Sequence, residues 1–286
     1  MTAVTVAQPI PRRRPLSLGT PFSYLAALLI IGITLVPLLY AVLGGFRTNA
    51  QLNSHPVGIP SPWVISNYAD VFGGSVFWQA LANSLIIALI ATVLTVAFGA
   101  MAGFALSRYT FKGREAFYTL FTVGLLFPIS AAALPLYLLL RQVGLLENLL
   151  GVALPQAAFA LPVTIVILRP FMRAIPGEIE DAAVVDGTSR LGFFWRILLP
   201  LSRPALTTVA VLAFVTSWND YLLPMLVLSD PNDFTLPLGV ASFQSQFTQD
   251  TARVLAYTAA SMLPALGLFV FAERHIIGGL TGSIKG

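Results

Sequence analysis

Residues 169–204 read RPFMRAIPGEIEDAAVVDGTSRLGFFWRILLPLSRP. This stretch sits between two long uncharged apolar runs, and it is amphipathic rather than simply polar. Pro176 suits the first turn of a helix, where its missing N–H costs nothing. Glu178, Glu180 and Asp181 follow, and acidic groups in a first turn complement the helix dipole. Gly187 is well placed at a helix C-terminus, and Thr188 or Ser189 can cap a second helix. That helix is expected to end near Leu199, before Pro200. Phe193, Phe194, Trp195, Ile197 and Leu198 give it more apolar surface than a solvated loop needs. The segment therefore predicts a helix, a turn and a second helix. Two roles fit it: a hairpin resting on lipid headgroups, or a docking surface for a partner. Ala182 and Ala183, small residues beside acids and closed by a glycine, let another surface approach and favour docking.

Outward from this hairpin the chain is membrane-like. Of 286 residues 57% are hydrophobic and 10% charged, against about 25% charged in a soluble domain, and mean hydropathy is +0.83. Apolar stretches fall at about 24–43, 80–106, 116–140, 149–168, 205–228 (interrupted by Asp220) and 254–272. Each approaches the length a helix needs to cross the hydrocarbon core. Continuous apolar runs are not the alternation of a barrel. The expectation is an all-α polytopic protein with six transmembrane helices. A tail over 1–23 precedes a six-helix transmembrane domain over 24–272, whose loop over 169–204 is the hairpin, and a second tail occupies 273–286. Arg12, Arg13 and Arg14 precede the first run as they would in a cleaved leader. The run reads instead as a retained span, because it is too long and no small-residue cleavage site clearly follows it. With the N-terminus inside, thirteen of the sixteen Lys and Arg face the cytoplasm; only Arg47, Arg141 and Arg253 lie outside. Both termini are thus expected to be cytoplasmic. The basic balance reflects this topology rather than nucleic-acid binding, because the charges are spread over short loops.

Several chemistries are excluded. The chain has no cysteine and two histidines, His55 and His275, so thiolate chemistry and a clustered metal site are ruled out. Its two lysines, Lys112 and Lys285, lie in no phosphate-binding G-x-x-x-x-G-K-[S/T] loop. No His, Cys or paired-carboxylate constellation lies in the spans, so an embedded enzyme is disfavoured. Polar and aromatic residues in the spans are the candidates for a solute path: Gln156, Phe159, Trp218, Asn219, Asp220 and Tyr221. Asp220 is the acid inside an expected span; it reads equally as functional or as satisfied by a neighbouring helix end. The aromatics read as helix packing at least as readily as path-lining groups. An ion-coupled secondary transporter or channel remains the competing class, although Asp220 is a thin basis for ion coupling and no repeat is evident.

Asp181-Ala182-Ala183, three residues, Gly187, nine residues, Ile197, and then Leu199-Pro200 resembles the EAA loop of ABC importer permeases, E-A-A-x3-G-x9-I-x-L-P. The spacing matches throughout, with Asp181 in place of the usual Glu. Asn83-Ser84, Ala105-Leu106-Ser107-Arg108, Asp186-Gly187, Trp218-Asn219-Asp220 and Gly279-Leu280-Thr281-Gly282 before Lys285-Gly286 resemble the carbohydrate-uptake permeases, in particular the shorter subunit of the maltose-permease type. The resemblance implies a type I importer fold and a sugar-import role in a bacterial inner membrane. It implies a coupling surface formed by Glu180, Asp181, Ala182, Ala183, Asp186, Gly187, Ile197, Leu199 and Pro200. It further implies a second homologous permease subunit, two P-loop ATPase subunits that bind ATP and Mg, and an extracellular solute-binding protein. On that reading this chain binds no cofactor and is not itself an enzyme.

Overall fold

The computed structural model describes residues 19–243 and 250–281, with side chains described over 21–243 and 250–267. Arg12, Arg13, Arg14, Gly282 and Lys285 lie outside the described residues. Helices joined by loops make up the whole, with no strand among the described residues. The chain begins with α1 (Gly19–Gly44) and the two short helices α2 (Asn49–Ser54) and α3 (Ser66–Gly73). Then come α4 (Ser75–Arg108), α5 (Arg114–Gly124), α6 (Ile129–Gln142) and α7 (Leu149–Ala174). The hairpin holds α8 (Gly177–Val185) and α9 (Arg190–Phe193), which continues through a π-helical turn (Phe194–Leu198) into α10 (Leu199–Leu201). The remainder is α11 (Arg203–Trp218), α12 (Leu222–Val227), α13 (Leu236–Gly239) and α14 (Thr251–Thr281).

Among the described residues three unbroken helices are long and apolar enough to span a bilayer: 21–44, 75–108 and 149–174. Two further stretches reach that length only as bent pairs. The run expected at 116–140 is α5 and α6, bent by 102°. Pro128 lacks an N–H and is itself extended (ψ 128°) just ahead of α6, so one apolar run becomes two helices. The run expected at 205–228 is α11 and α12, broken at Asn219–Tyr221. On its other side, the stretch 190–201 meets α11 at 78°. The last expected run, 254–272, lies within α14.

The body is organised on the seam between α4 and α7. Ala91, Thr95, Gly99 and Gly103 form a buried small-residue stripe along α4. Against it α7 lays Val152, Ala153, Thr164, Ile165, Leu168 and Met172, all buried. A Cβ added at Gly99 would collide with Thr164 Cγ2, and one at Gly103 would lie 3.2 Å from Leu168 Cβ. Helices in lipid gain nothing from excluding tails that are as apolar as leucine, so close backbone approach and dense contact hold them. At the end of the seam nearest the hairpin, Phe104, Leu168 and Met172 share a core with Ala183, Phe193, Phe194 and Leu198. Farther along, Ile87 and Val152 pack with Leu140, Leu223 and Val227. A third core joins Phe77, Ala88, Trp218 and Tyr257.

The loops at the opposite end are tied by polar contacts. Asn67 Nδ2 donates to the carbonyls of Gly45 and Arg47 at 3.0 and 2.9 Å. Arg253 pairs with Asp70 at 2.8 Å. Glu147 accepts the Ser229 and Asp230 N–H groups at 2.8 and 3.3 Å. The Ser229 contact holds the Glu147 carboxyl below its ordinary value.

Two alanine substitutions separate the seam from the rest of the chain. Gly99→Ala should lower the thermal midpoint of the detergent-purified chain, at a cost of about 1–3 kcal/mol from overpacking. Gly32→Ala, which meets nothing within 4 Å, should leave the midpoint within error. Equal midpoints for both variants would show that the α4–α7 approach is not the tight constraint described.

Candidate functional site

Two features stand out: the hairpin at one end and a largely apolar cavity with a few polar groups between α4, α7 and α11. The hairpin starts where α7 stops. Ile175 is extended, as a residue before proline prefers, and Pro176 stands just ahead of α8 rather than in its first turn. Glu178 and Glu180 occupy that first turn. Gly187 closes α8 at φ +76°, a left-handed conformation that glycine adopts without strain. The Thr188 N–H donates to Ala183 O at 2.8 Å and the Gly187 N–H to Val184 O at 3.0 Å, the paired bonds of a Schellman end. Of the two candidate caps, Ser189 makes the contact, accepting the Gly192 N–H at 3.1 Å. The second helix runs past the expected stop at Leu199, through Pro200 to Leu201. The Leu199 N–H reaches back five residues to Phe194 O, and that π turn widens the helix where a proline would crowd an ordinary one.

The hairpin residues divide into two faces. Ala183 is buried against Phe193 and Phe194, so only Ala182 of the alanine pair is open to another surface. Ile197 and Leu199 are half-buried on the same core, whereas Pro200 is exposed. Glu180 is half-buried and faces Arg108, the last residue of α4, at 3.7 Å. Asp181, Ala182, Asp186 and Gly187 lie on the open face. Beside them Val184, Val185 and Leu191 are 62, 86 and 69% exposed. These valines give the face an apolar centre within an acidic rim. Their sequence signal is a Val-Val pair directly after the alanines, which reads as core until the exposed side is known.

The cavity encloses about 360 Å³. Gln156, Phe159 and Asp220 all line it. Gln156 Nε2 donates to Asp220 Oδ2 at 2.8 Å, and Ser217 Oγ donates to Gln156 Oε1 at 2.5 Å. The other Asp220 oxygen accepts the Leu222 and Leu223 N–H groups at 3.0 and 3.4 Å, capping α12. Both side-chain oxygens of Asp220 thus act as acceptors. No Lys, Arg or His is among the lining residues.

The other three candidates lie elsewhere. Trp218 is buried in the core with Phe77 and Tyr257, stacked on Phe214 at 5.7 Å between ring centroids. Asn219 Nδ2 turns back to Val215 O at 2.8 Å. Tyr221 is exposed and absent from the cavity wall. In their place the wall includes Thr95, Thr164, Thr216 and Ser217. Spacing alone does not separate such hydroxyls from the Ser and Thr that bond their own helix backbone.

Residues 95–275 match the family described as binding-protein-dependent transport system inner membrane component. The diacetylchitobiose uptake system permease protein NgcG of Streptomyces coelicolor is 32% identical over 251 residues, 87% of this chain and 83% of its own. The arabinooligosaccharides transport system permease protein AraQ of Halalkalibacterium halodurans is 34% identical, with 89% and 92% covered. The trehalose transport system permease protein SugB of Mycobacterium tuberculosis is 34% identical, with 90% and 95% covered. The fold is similar to a chain from the crystal structure of a bacterial ABC transporter involved in the import of alginate, an acidic polysaccharide. That likeness has a TM-score of 0.74 at 22% identity and covers 92% of this chain and 99% of the other.

Gln156 joins the two halves of the cavity's polar network. Gln156→Leu leaves Ser217 and Asp220 without that partner, and should lower unfolding free energy by about 1–3 kcal/mol for a lost buried hydrogen-bond partner. A thermal midpoint equal to that of the parent chain would show that the network contributes nothing to stability.

Proposed function

Since the chain belongs to the family of binding-protein-dependent transport system inner membrane components, we propose that it is the permease subunit of an ATP-dependent importer of neutral saccharides. The observation that carries this reading is the match to sugar-system permeases over nearly the whole chain. Both termini face the cytoplasm, and the hairpin lies on the cytoplasmic side. There Asp181, Ala182, Asp186 and Gly187, with Val184 and Val185, form the surface that enters a cleft of a separate ATPase. Glu180, Ala183, Ile197, Leu199 and Pro200 hold that surface in shape. ATP and Mg act in the ATPase pair, whose closure moves the hairpin and switches the access of the membrane path. A second permease completes the path, and an extracellular binding protein delivers the sugar.

The cavity bears on substrate class. Gln156, Thr95, Thr164, Thr216 and Ser217 offer hydrogen-bonding groups, and Phe159 offers a ring face for a sugar. Asp220 is an acidic group with no cation among its neighbours in the wall, so nothing there compensates the charge of an anionic sugar, and leaving water unpaired is costly for a charged group. The path therefore favours uncharged saccharides over uronates and sugar phosphates.

The test is purification in mild detergent from native membranes, followed by reconstitution in liposomes. A second permease and a P-loop ATPase should copurify, and sugar uptake should require ATP. Recovery of this chain alone, moving solute without ATP, would overturn the proposal. Asp181→Arg should insert normally yet cut uptake about tenfold or more, equivalent to about 1.4 kcal/mol of lost docking. Normal uptake would sink the coupling assignment. Asp220→Asn separates the competing class: ATP-driven uptake of neutral sugar should stay within about threefold, about 0.7 kcal/mol, whereas an ion-coupled carrier would lose flux.

A further inference from the structure

Arg108 ends α4, and its side chain is 8% exposed. One of its terminal nitrogens, Nη2, donates to Met172 O at 2.9 Å and to Ile175 O at 2.8 Å, the carbonyls left open where α7 stops. The other, Nη1, faces Glu180 of α8 at 3.7 Å. The arrangement is reciprocated. Arg169 of α7 is buried and donates through Nε to Leu106 O, in the last turn of α4, at 3.2 Å. Its guanidinium also pairs with Glu115 at 2.5 Å and lies 3.8 Å from the centre of the Tyr118 ring, both on α5. Each of the two seam helices thus supplies an arginine that satisfies the other's C-terminal carbonyls, where a cation also complements the helix dipole. Only one of the pair extends to the hairpin, and that is Arg108. Its Nε–H is buried without a partner. That cost stands against a placement that directs both terminal nitrogens to other helices.

We propose that Arg108 is the positioning residue that transmits hairpin motion into the α4–α7 pair, so that hairpin and seam move as one body. The inference rests on the coupling reading above and assigns its mechanical linkage. Between α7 and α8 runs extended backbone at Ile175 and Pro176. Hairpin and seam also share an apolar core through Phe104, Leu168, Met172, Ala183, Phe193 and Phe194; Glu180–Arg108 adds to it a directional polar link that sets the angle of α8 to the body.

The test uses the complete importer in proteoliposomes and needs no knowledge of the sugar. The chain has no cysteine, so Thr216→Cys on the cavity wall provides a single reporter within it. Its reaction with a membrane-impermeant maleimide is read as labelling of this chain, with and without ATP and orthovanadate. With Arg108 present, ATP and vanadate should change the labelling rate at least fivefold. In Arg108→Gln the change should fall below twofold while the ATPase subunit still copurifies. Arg108→Lys, which keeps the charge but loses the fork, should recover part of the change. Glu180→Ala, which removes only the contact to α8, should reproduce Arg108→Gln and covers the case in which Arg108→Gln fails to fold. A full ATP-dependent change in Arg108→Gln or in Glu180→Ala overturns the linkage and leaves the coupling reading standing. No ATP-dependent change in the parent chain overturns the coupling reading itself, and the linkage with it.

Discussion

Two helix backbones meet closely only where side chains are absent, and that constraint organises this molecule. At Gly99 there is no room for even a methyl group against Thr164. The approach brings the wide faces of α4 and α7 together over most of their length, and the cores at either end grow from it. In lipid such contact must come from fit, since apolar side chains have no reason to leave one apolar medium for another. The cavity lies where the fit gives way to hydroxyls and an amide. Thr95 and Thr164 stand on the seam itself and also border the open volume.

Polar backbone is confined to places that can satisfy it. The break between α11 and α12 frees backbone N–H groups beside the cavity, and Asp220 accepts those of Leu222 and Leu223. Irregular backbone inside a bilayer is tolerated where it faces protein or a polar cavity, and this break faces both. One residue thereby caps a helix and sets the charge of the cavity wall. The same geometry thus makes Asp220 both a helix cap and a lining residue of the cavity.

What was legible in the sequence depended on whether the cause was local. The helix–turn–helix in the hairpin follows from Pro176, Gly187 and Ser189, each of which acts within a few residues of itself. The long apolar runs give helices for the same reason. The bend at Pro128 is local too, but hydropathy integrates over about 19 residues and averages a single proline away. The division of Ala182 from Ala183, the exposure of Val184 and Val185, and the retreat of Trp218 into the core depend on which side another element approaches. No spacing rule contains that information. Gln156 and Asp220 stand out singly for their chemistry; their contact across 64 positions belongs to the tertiary fold.

The first helix has almost no part in any of this. Of its most apolar stretch only 6% is buried against the rest of the chain, and Leu28, Ile30, Ile33 and Val36 face outward along it. Within this chain, then, exchanges among leucine, isoleucine, valine and phenylalanine at those four positions meet no neighbour to object. The seam and the first helix are therefore open to drift at different rates. The seam admits few spellings, because Gly99 and Gly103 are each fixed by an atom across from them. At those four positions of the first helix this chain sets no such limit, so whatever constrains them comes from lipid or from a neighbouring subunit.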